Sequence, residues 1–190
     1  MMPLVVLVVI GVLLLIVLGW AVGNYNGLIR LRNTCKESWA QIDTELKRRY
    51  DLIPNLVETV KAYATHERET MEAVIAARDA ARDHAGDAAS QAREENALSR
   101  GINRLFAVAE AYPALKASRN FLELQRELTH TEDRIQRARR FYNANVRDLN
   151  ARIEVVPSNI IAGVFGFQQR SYFEIDDPTE RRPVAIDFKR

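Results

Sequence analysis

Metal or acid–base chemistry in this chain would have to start from its three histidines, His66, His84 and His130. His66-Glu67 opens like the zinc-protease motif. There two histidines four apart on a helix grip the metal, and a glutamate between them acts as base. Here Thr70 stands where the second histidine must be, so that grip cannot form. Glu127-Leu128-Thr129-His130 is a single Glu-x-x-His, whereas a di-metal site in a helical bundle takes two such motifs and two further carboxylates. No glycine-rich phosphate loop and no G-x-S-x-G elbow is present. The residues therefore assign no catalytic group, no metal and no cofactor. What remains is a polar line. Asp51, Asn55 and Glu58 fall at i, i+4 and i+7, on one helix face, close in sequence to Arg49. The line reads either as a structural polar network with Arg49 or as a solvated face whose surface pairs are each worth under ~1 kcal/mol. An enzyme built on Asp51, Asn55 and Glu58 is the weakest reading.

The element that must position these residues is Ser38–Glu67. In heptads, Trp39, Leu46, Ile53 and Val60 take position a, and Ile42, Arg49, Leu56 and Tyr63 take position d. This is a core-facing helix with coiled-coil spacing. Arg49 on an apolar seam demands a carboxylate, because an unpaired buried charge is costly. Asp51, Glu58, Glu123, Glu127 and Glu132 are the candidates. Pro54 has no N–H for the carbonyl of Tyr50, and an interior proline costs ~3 kcal/mol unless the helix kinks or restarts.

The runs Tyr25–Asn33 (YNGLIRLRN), Arg48–Glu67 (RRYDLIPNLVETVKAYATHE), Phe121–Val146 (FLELQRELTHTEDRIQRARRFYNANV) and Pro157–Phe167 (PSNIIAGVFGF) together resemble the LemA family. The resemblance reaches from the first helix to about Glu174. It implies a bacterial protein with one membrane helix, a helical bundle and no established enzymatic activity. It also implies association with membrane metalloproteases or other envelope proteins.

Composition is compatible with that. The chain has 190 residues, with 27 Lys+Arg against 25 Asp+Glu, and a net charge of +2 gives no reason to expect a nucleic-acid partner. The basic run Arg134, Arg137, Arg139 and Arg140 lies beside Glu132 and Asp133 and reads as a solvated face. Cys35 is the single cysteine, which excludes an internal disulfide; it reads as a small buried hydrophobe. Leu4–Val22 is an apolar run long enough to cross a bilayer core of ~30 Å. A cleaved signal peptide is the competing reading, but the run is long and lacks a basic n-region. Arg30, Arg32 and Lys36 follow the span, so the positive-inside rule places the helical domain in the cytoplasm and the N-terminus outside a bacterial plasma membrane. Gly11, Gly19, Gly23 and Gly27 form a slowly drifting line suited to close helix contact, hence to a homo-oligomer in the bilayer. The rival is that Gly23 and Gly27 loosen the helix at its exit.

The expected fold is all-α: residues 1–27 anchor and membrane exit, 28–174 an up-and-down, antiparallel three- to four-helix bundle, and 175–190 a mobile tail. Leu28–Asp83 makes the first helical region, whole or divided at Pro54, and Asp83–Asp87 a turn. Ala88–Tyr112 follows, with Leu98, Ile102, Leu105, Phe106 and Ala109 as its stripe. Pro113 breaks the pattern, and Asn120 with Glu123 signals a capping box for a helix to Ile153. Either the chain folds back near Pro54, or the membrane-proximal half is a stalk whose Trp39, Ile42 and Leu46 need partner chains to bury them. Ile160, Ile161, Val164 and Phe165 make a short helix, read as a hydrophobic clasp on the bundle or as a membrane-surface contact. Val184, Ile186 and Phe188 alternate like a strand. The function these readings favour is a non-enzymatic membrane scaffold or adaptor that organises other membrane proteins, with self-association through the glycine line as one of its modes and a purely structural oligomeric stalk as the alternative.

Overall fold

The computed structural model describes residues 2–174, so the expected strand at Val184–Phe188 lies outside the described residues. The fold is all-α, with no strand among the described residues: α1 (Met2–Lys61), α2 (Arg68–Arg82), α3 (Ala88–Glu110), α4 (Pro113–Lys116), α5 (Arg119–Glu154) and α6 (Ser158–Val164). Two compact units emerge. One comprises residues 2–46 together with Asp133–Tyr172; the other comprises Lys47–Glu132 and residues 173–174. α1 and α5 contribute to both.

In the first unit α1 pairs with α5 in antiparallel register. The Trp39 and Tyr142 rings stack tilted with centroids 5.3 Å apart, and Asn24 Oδ1 accepts from Arg152 Nη2 at 3.3 Å. Leu28, Cys35, Ile42 and Leu46 from α1 and Ile135, Val146 and Leu149 from α5 are buried. The heptad seam thus finds its partner within the chain. Ile42 and Leu46 are covered without any second copy, which removes the reason for a stalk. The stretch after α6 is held by α5 side chains. Asn150 Nδ2 donates to the Arg170 carbonyl and its Oδ1 accepts from the Arg170 N–H, both at 2.9 Å, while the Tyr142 hydroxyl donates to the Ser171 carbonyl. Cys35 is fully buried, and burial pushes its thiol above the usual range, with Asp148 adding to the shift and Arg170 opposing it. Of the basic run, Arg134, Arg137 and Arg140 are exposed. Arg139 is not part of that solvated face; it is buried, because it falls on the inward side of α5.

The second unit is a four-helix arrangement of the end of α1, α2, α3 and the start of α5, with α4 as a single turn. Ile53, Leu56 and Val60 of α1, Val74 of α2, Leu98 and Leu105 of α3, Phe121 of α5 and, after α6, Phe173 are all buried in this unit. Gly101 on α3 lets α2 come close: a Cβ there would sit 3.3 Å from Val74 Cγ2. α3 begins at its N-cap Asp87, whose carboxylate accepts from the Ser90 N–H at 2.9 Å. Asn120 and Glu123 do not cap α5. That helix starts earlier, at Arg119; the Ser118 carbonyl accepts from the Leu122 N–H, and Glu123 instead takes a hydrogen bond from Arg119 Nε at 3.0 Å.

Pro54 neither kinks the chain back nor divides the helix. α1 runs through it, and the reversal comes at Ala62–Glu67, a turn with no glycine, closed on the buried Ala64. Tyr63, past the helix end, is exposed. The Tyr50 carbonyl that Pro54 deprives of a donor takes Arg78 Nε from α2 at 3.0 Å. A tertiary hydrogen bond from a charged donor thus replaces the missing helical one, an interaction worth ~1.5–3 kcal/mol. Arg78→Ala is expected to lower stability by about 1–2 kcal/mol. The same substitution should cost clearly less in a Pro54→Ala background, where residue 54 supplies the N–H. Equal losses in the two backgrounds, by urea denaturation, would rule this compensation out.

Candidate functional site

The chemically distinctive place in the second unit is a buried ion network. Arg49 enters from the α1 seam and is 1% exposed; Glu95 enters from α3 and is 0% exposed. Their guanidinium and carboxylate are in direct contact. Arg49 Nη1 also donates to Glu132 on α5 at 2.8 Å and to Ser99 Oγ at 3.2 Å. The other Glu95 oxygen accepts from the Tyr50 hydroxyl and from Gln91 Nε2, the latter at 2.8 Å. Gln91 Nε2 also reaches the Ala81 carbonyl at the end of α2, at 2.9 Å. The network therefore ties α1, α2, α3 and α5 through one charged centre. Burial works against the Arg49 charge, but Glu95 and Glu132 outweigh it and hold its pKa above the usual arginine value.

The expected polar network of Arg49, Asp51, Asn55 and Glu58 does not assemble. Only Arg49 is inside. Asp51, Asn55 and Glu58 lie on the opposite, exposed face of α1, because their i, i+4, i+7 line is rotated away from the seam. Glu58 pairs with Lys61 at 3.3 Å on the rim of an open groove of about 700 Å³ between α1 and α2, floored by Val57, Met71 and Ile75. Of the carboxylates that could have met Arg49, Glu132 does. Glu95, Gln91 and Tyr50 are additional. Their signal was present: stepping the α3 stripe back from Ile102 and Leu98 by threes and fours lands on Glu95 and Gln91.

Chemically the inner part of the network is spoken for. Both Glu95 oxygens are engaged and the group is fully buried, while Glu132, at the outer end, has a side chain 38% exposed; the pair of Arg49 and Glu95 holds helices in register. Among the described residues no three His, Cys, Asp or Glu side chains converge as a metal site. His66 and His130 are exposed, and His84 faces Ser90 Oγ at 2.8 Å.

In the bilayer segment, Gly11, Gly19 and Gly23 have no neighbour within 4 Å, whereas Gly27 lies under the Arg152 guanidinium of α5. The glycine line thus splits. Gly27 packs within the chain, and only the first three present an open face. The apolar part of α1 is the one described helix long and apolar enough to cross a membrane.

A family model described as the LemA family matches residues 38–188. The match begins after the apolar span and runs beyond Glu174, further toward the C-terminus than the resemblance in the sequence alone. The chain is similar to Protein LemA of Metamycoplasma hominis, 26% identical over 141 residues, which cover 74% of this chain and 64% of that protein. It is also similar to Magnetosome protein MamQ 2 of Paramagnetospirillum magneticum, 30% identical over 90 residues, 47% of this chain and 33% of that one. Magnetosome protein MamQ of Magnetospirillum gryphiswaldense is 27% identical over the same length. The matched part spans from one third to just under two thirds of these relatives' lengths.

Proposed function

The chain belongs to the LemA family, and on that premise we propose that it is a non-enzymatic, membrane-anchored scaffold or adaptor that organises other membrane proteins. The observation that carries this reading is that the buried charged pair, Arg49 and Glu95, is engaged entirely within the fold. The residues with perturbed chemistry are spent on holding four helices together, which leaves exposed helix faces as the means of action. The partner class that the family resemblance favours is a membrane metalloprotease or another envelope protein, with the lipid bilayer as the common platform. Photo-crosslinking of the full chain in native membranes, followed by identification of the adducts, tests it. Reproducible heterologous adducts to membrane proteins are expected. Crosslinks only between copies of this chain would favour the structural oligomer instead.

Orientation and self-association are separate parts of the proposal. Arg30, Arg32 and Lys36 follow the span, so a reporter fused after Arg190 is expected to read cytoplasmic; a periplasmic signal would reverse the orientation and the list of partners. Close van der Waals approach is what lipid-embedded helices need to pair, and Gly11, Gly19 and Gly23 leave room for it. Replacing Gly19 and Gly23 with leucine is expected to weaken the crosslinked oligomer ladder while insertion persists. A ladder unchanged in that double variant would exclude the glycine face as the contact.

A further inference from the structure

We propose that the α5–α6 corner is a second membrane contact, an apolar crest seated in the interfacial layer of the same bilayer that α1 crosses. The proposal rests on the anchor reading of α1, and it concerns residues that this anchor does not contain. Val155, Val156, Ile160, Val164 and Phe165 are 58–73% exposed, close together at one end of the first unit. α6 is amphipathic in an unusual sense. Ser158, Ile161 and Ala162 face inward and are buried, which satisfies the clasp reading, but the outward face is apolar as well. Ser158 turns its hydroxyl back to the Arg152 and Val155 carbonyls at the end of α5, at 2.8 and 2.9 Å, which fixes α6 to that helix. A contiguous exposed apolar crest of this kind marks an interaction surface rather than ordinary surface.

What identifies lipid as the occupant is where the crest sits along α1. The Phe165 ring lies 4.7 Å from that of Tyr25, and the Phe167 ring 6.0 Å from it. Arg152 covers Gly27 and bonds Asn24. The apolar span ends at Val22, so Tyr25 stands roughly 4–5 Å beyond it at 1.5 Å per residue. The headgroup layer is about 5–8 Å deep on each side of the hydrocarbon core, which puts α6 within it. The antiparallel register extends the same way. Trp39 meets Tyr142 and Asn24 meets Arg152, so Val155 and Val156, further along the chain, fall level with the end of the span or below it. A surface anchored beside a membrane helix at this height has the bilayer as its neighbour before any protein arrives.

The chemistry of the crest agrees. No Lys or Arg occurs between Pro157 and Gln169, so attraction to lipid is by apolar insertion rather than by anionic headgroups. Cations instead ring it. Arg152 and Arg170 flank it in sequence, and Arg32 lies over the Phe167 ring with its guanidinium carbon 5.4 Å from the centroid. Aromatic rings and arginines at the edge of an apolar patch are the side chains that settle at the membrane–water boundary. Functionally, two contacts fix what one helix leaves free. The single span allows the domain to tilt and rotate on the membrane; a crest held in the interface sets its inclination and the face it presents to neighbours.

The test uses the full chain carrying Cys35→Ala, with single cysteines placed by Val164→Cys, Val12→Cys or Arg140→Cys, all at exposed positions. Each is labelled with bimane and reconstituted into phosphatidylcholine vesicles with or without nitroxide lipids, the nitroxide placed near the headgroup end of the acyl chain in one set and near its methyl end in another, so that both the interface and the middle of the span are sampled. Strong quenching is expected at positions 12 and 164 and little at 140, which lies on α5 some 18 Å back from Arg152 by helix rise. Quenching at 12 with none at 164 overturns the crest while leaving the anchor intact. Blue-shifted but unquenched emission at 164 means a second protein surface covers the face, and overturns it too. Absence of quenching at 12 removes the anchor, and the crest with it.

Discussion

Replacing Arg49 with alanine is expected to cost about 3–5 kcal/mol of stability, the range for breaking one side of a buried ion pair. The reason is what remains. Glu95, 0% exposed, would keep its Tyr50 and Gln91 donors but lose its only neighbouring cation among the described contacts, and Glu132 would lose its inward partner. For a chain of this size each kcal/mol moves the midpoint by ~2–4 °C, so a drop on the order of 10 °C in thermal melts of the detergent-solubilised protein is expected. Substituting both partners, Arg49→Met with Glu95→Leu, should lose distinctly less than either single change, because it removes the stranded charge along with the pair. A loss within about 0.5 kcal/mol for Arg49→Ala would mean that the charge reaches solvent by extending its stem, and the buried network would have to be abandoned. If the double variant melts lower than both single variants, the pair is net stabilising, and specificity alone does not explain its burial.

Truncating Phe173 to alanine is expected to cost about 3–5 kcal/mol, as for other fully buried aromatics. Phe173 is 0% exposed and belongs to the core of the second unit, although it lies almost twenty residues beyond the last long helix. The ring therefore fastens the C-terminal extension to the second unit, and removing a fully buried ring costs its transfer free energy plus that of whatever cavity partial relaxation leaves. Phe173→Leu, which keeps most of the volume, should retain most of the stability. Denaturant unfolding read by helical circular dichroism checks both. A Phe173→Ala variant as stable as the parent would show that the extension contributes nothing to the fold. A loss confined to faster proteolysis after Phe167, with the helical transition unmoved, would show that it closes the surface without supporting the core.

The helical class, the membrane-length apolar run and the inward stripes follow from periodicity, which is a local property of the sequence. Of the heptad seam, Cys35, Ile42, Leu46, Arg49, Ile53, Leu56 and Val60 are buried, because side chains three and four apart on a helix must share a face whatever lies opposite; Trp39 is half-buried, and Tyr63 is exposed because the helix ends before it. The same reasoning required a carboxylate for Arg49 and included Glu132 among the candidates. It did not supply Glu95, since a polar residue on a stripe reads as an interruption until a charge is found facing it. Pro54 shows the limit most clearly. Its missing N–H is legible in the sequence, and its remedy is not: the Arg78 donor comes from another helix, and only packing decides that it reaches the Tyr50 carbonyl. The place of the reversal was likewise open, because a turn closed on a buried alanine carries none of the glycine or proline chemistry that marks turns locally. Tertiary structure also separated two kinds of apolar residue that composition treats alike. Ile161 is buried and Ile160 is exposed, one residue apart on α6, because a helix face becomes core only where another element covers it.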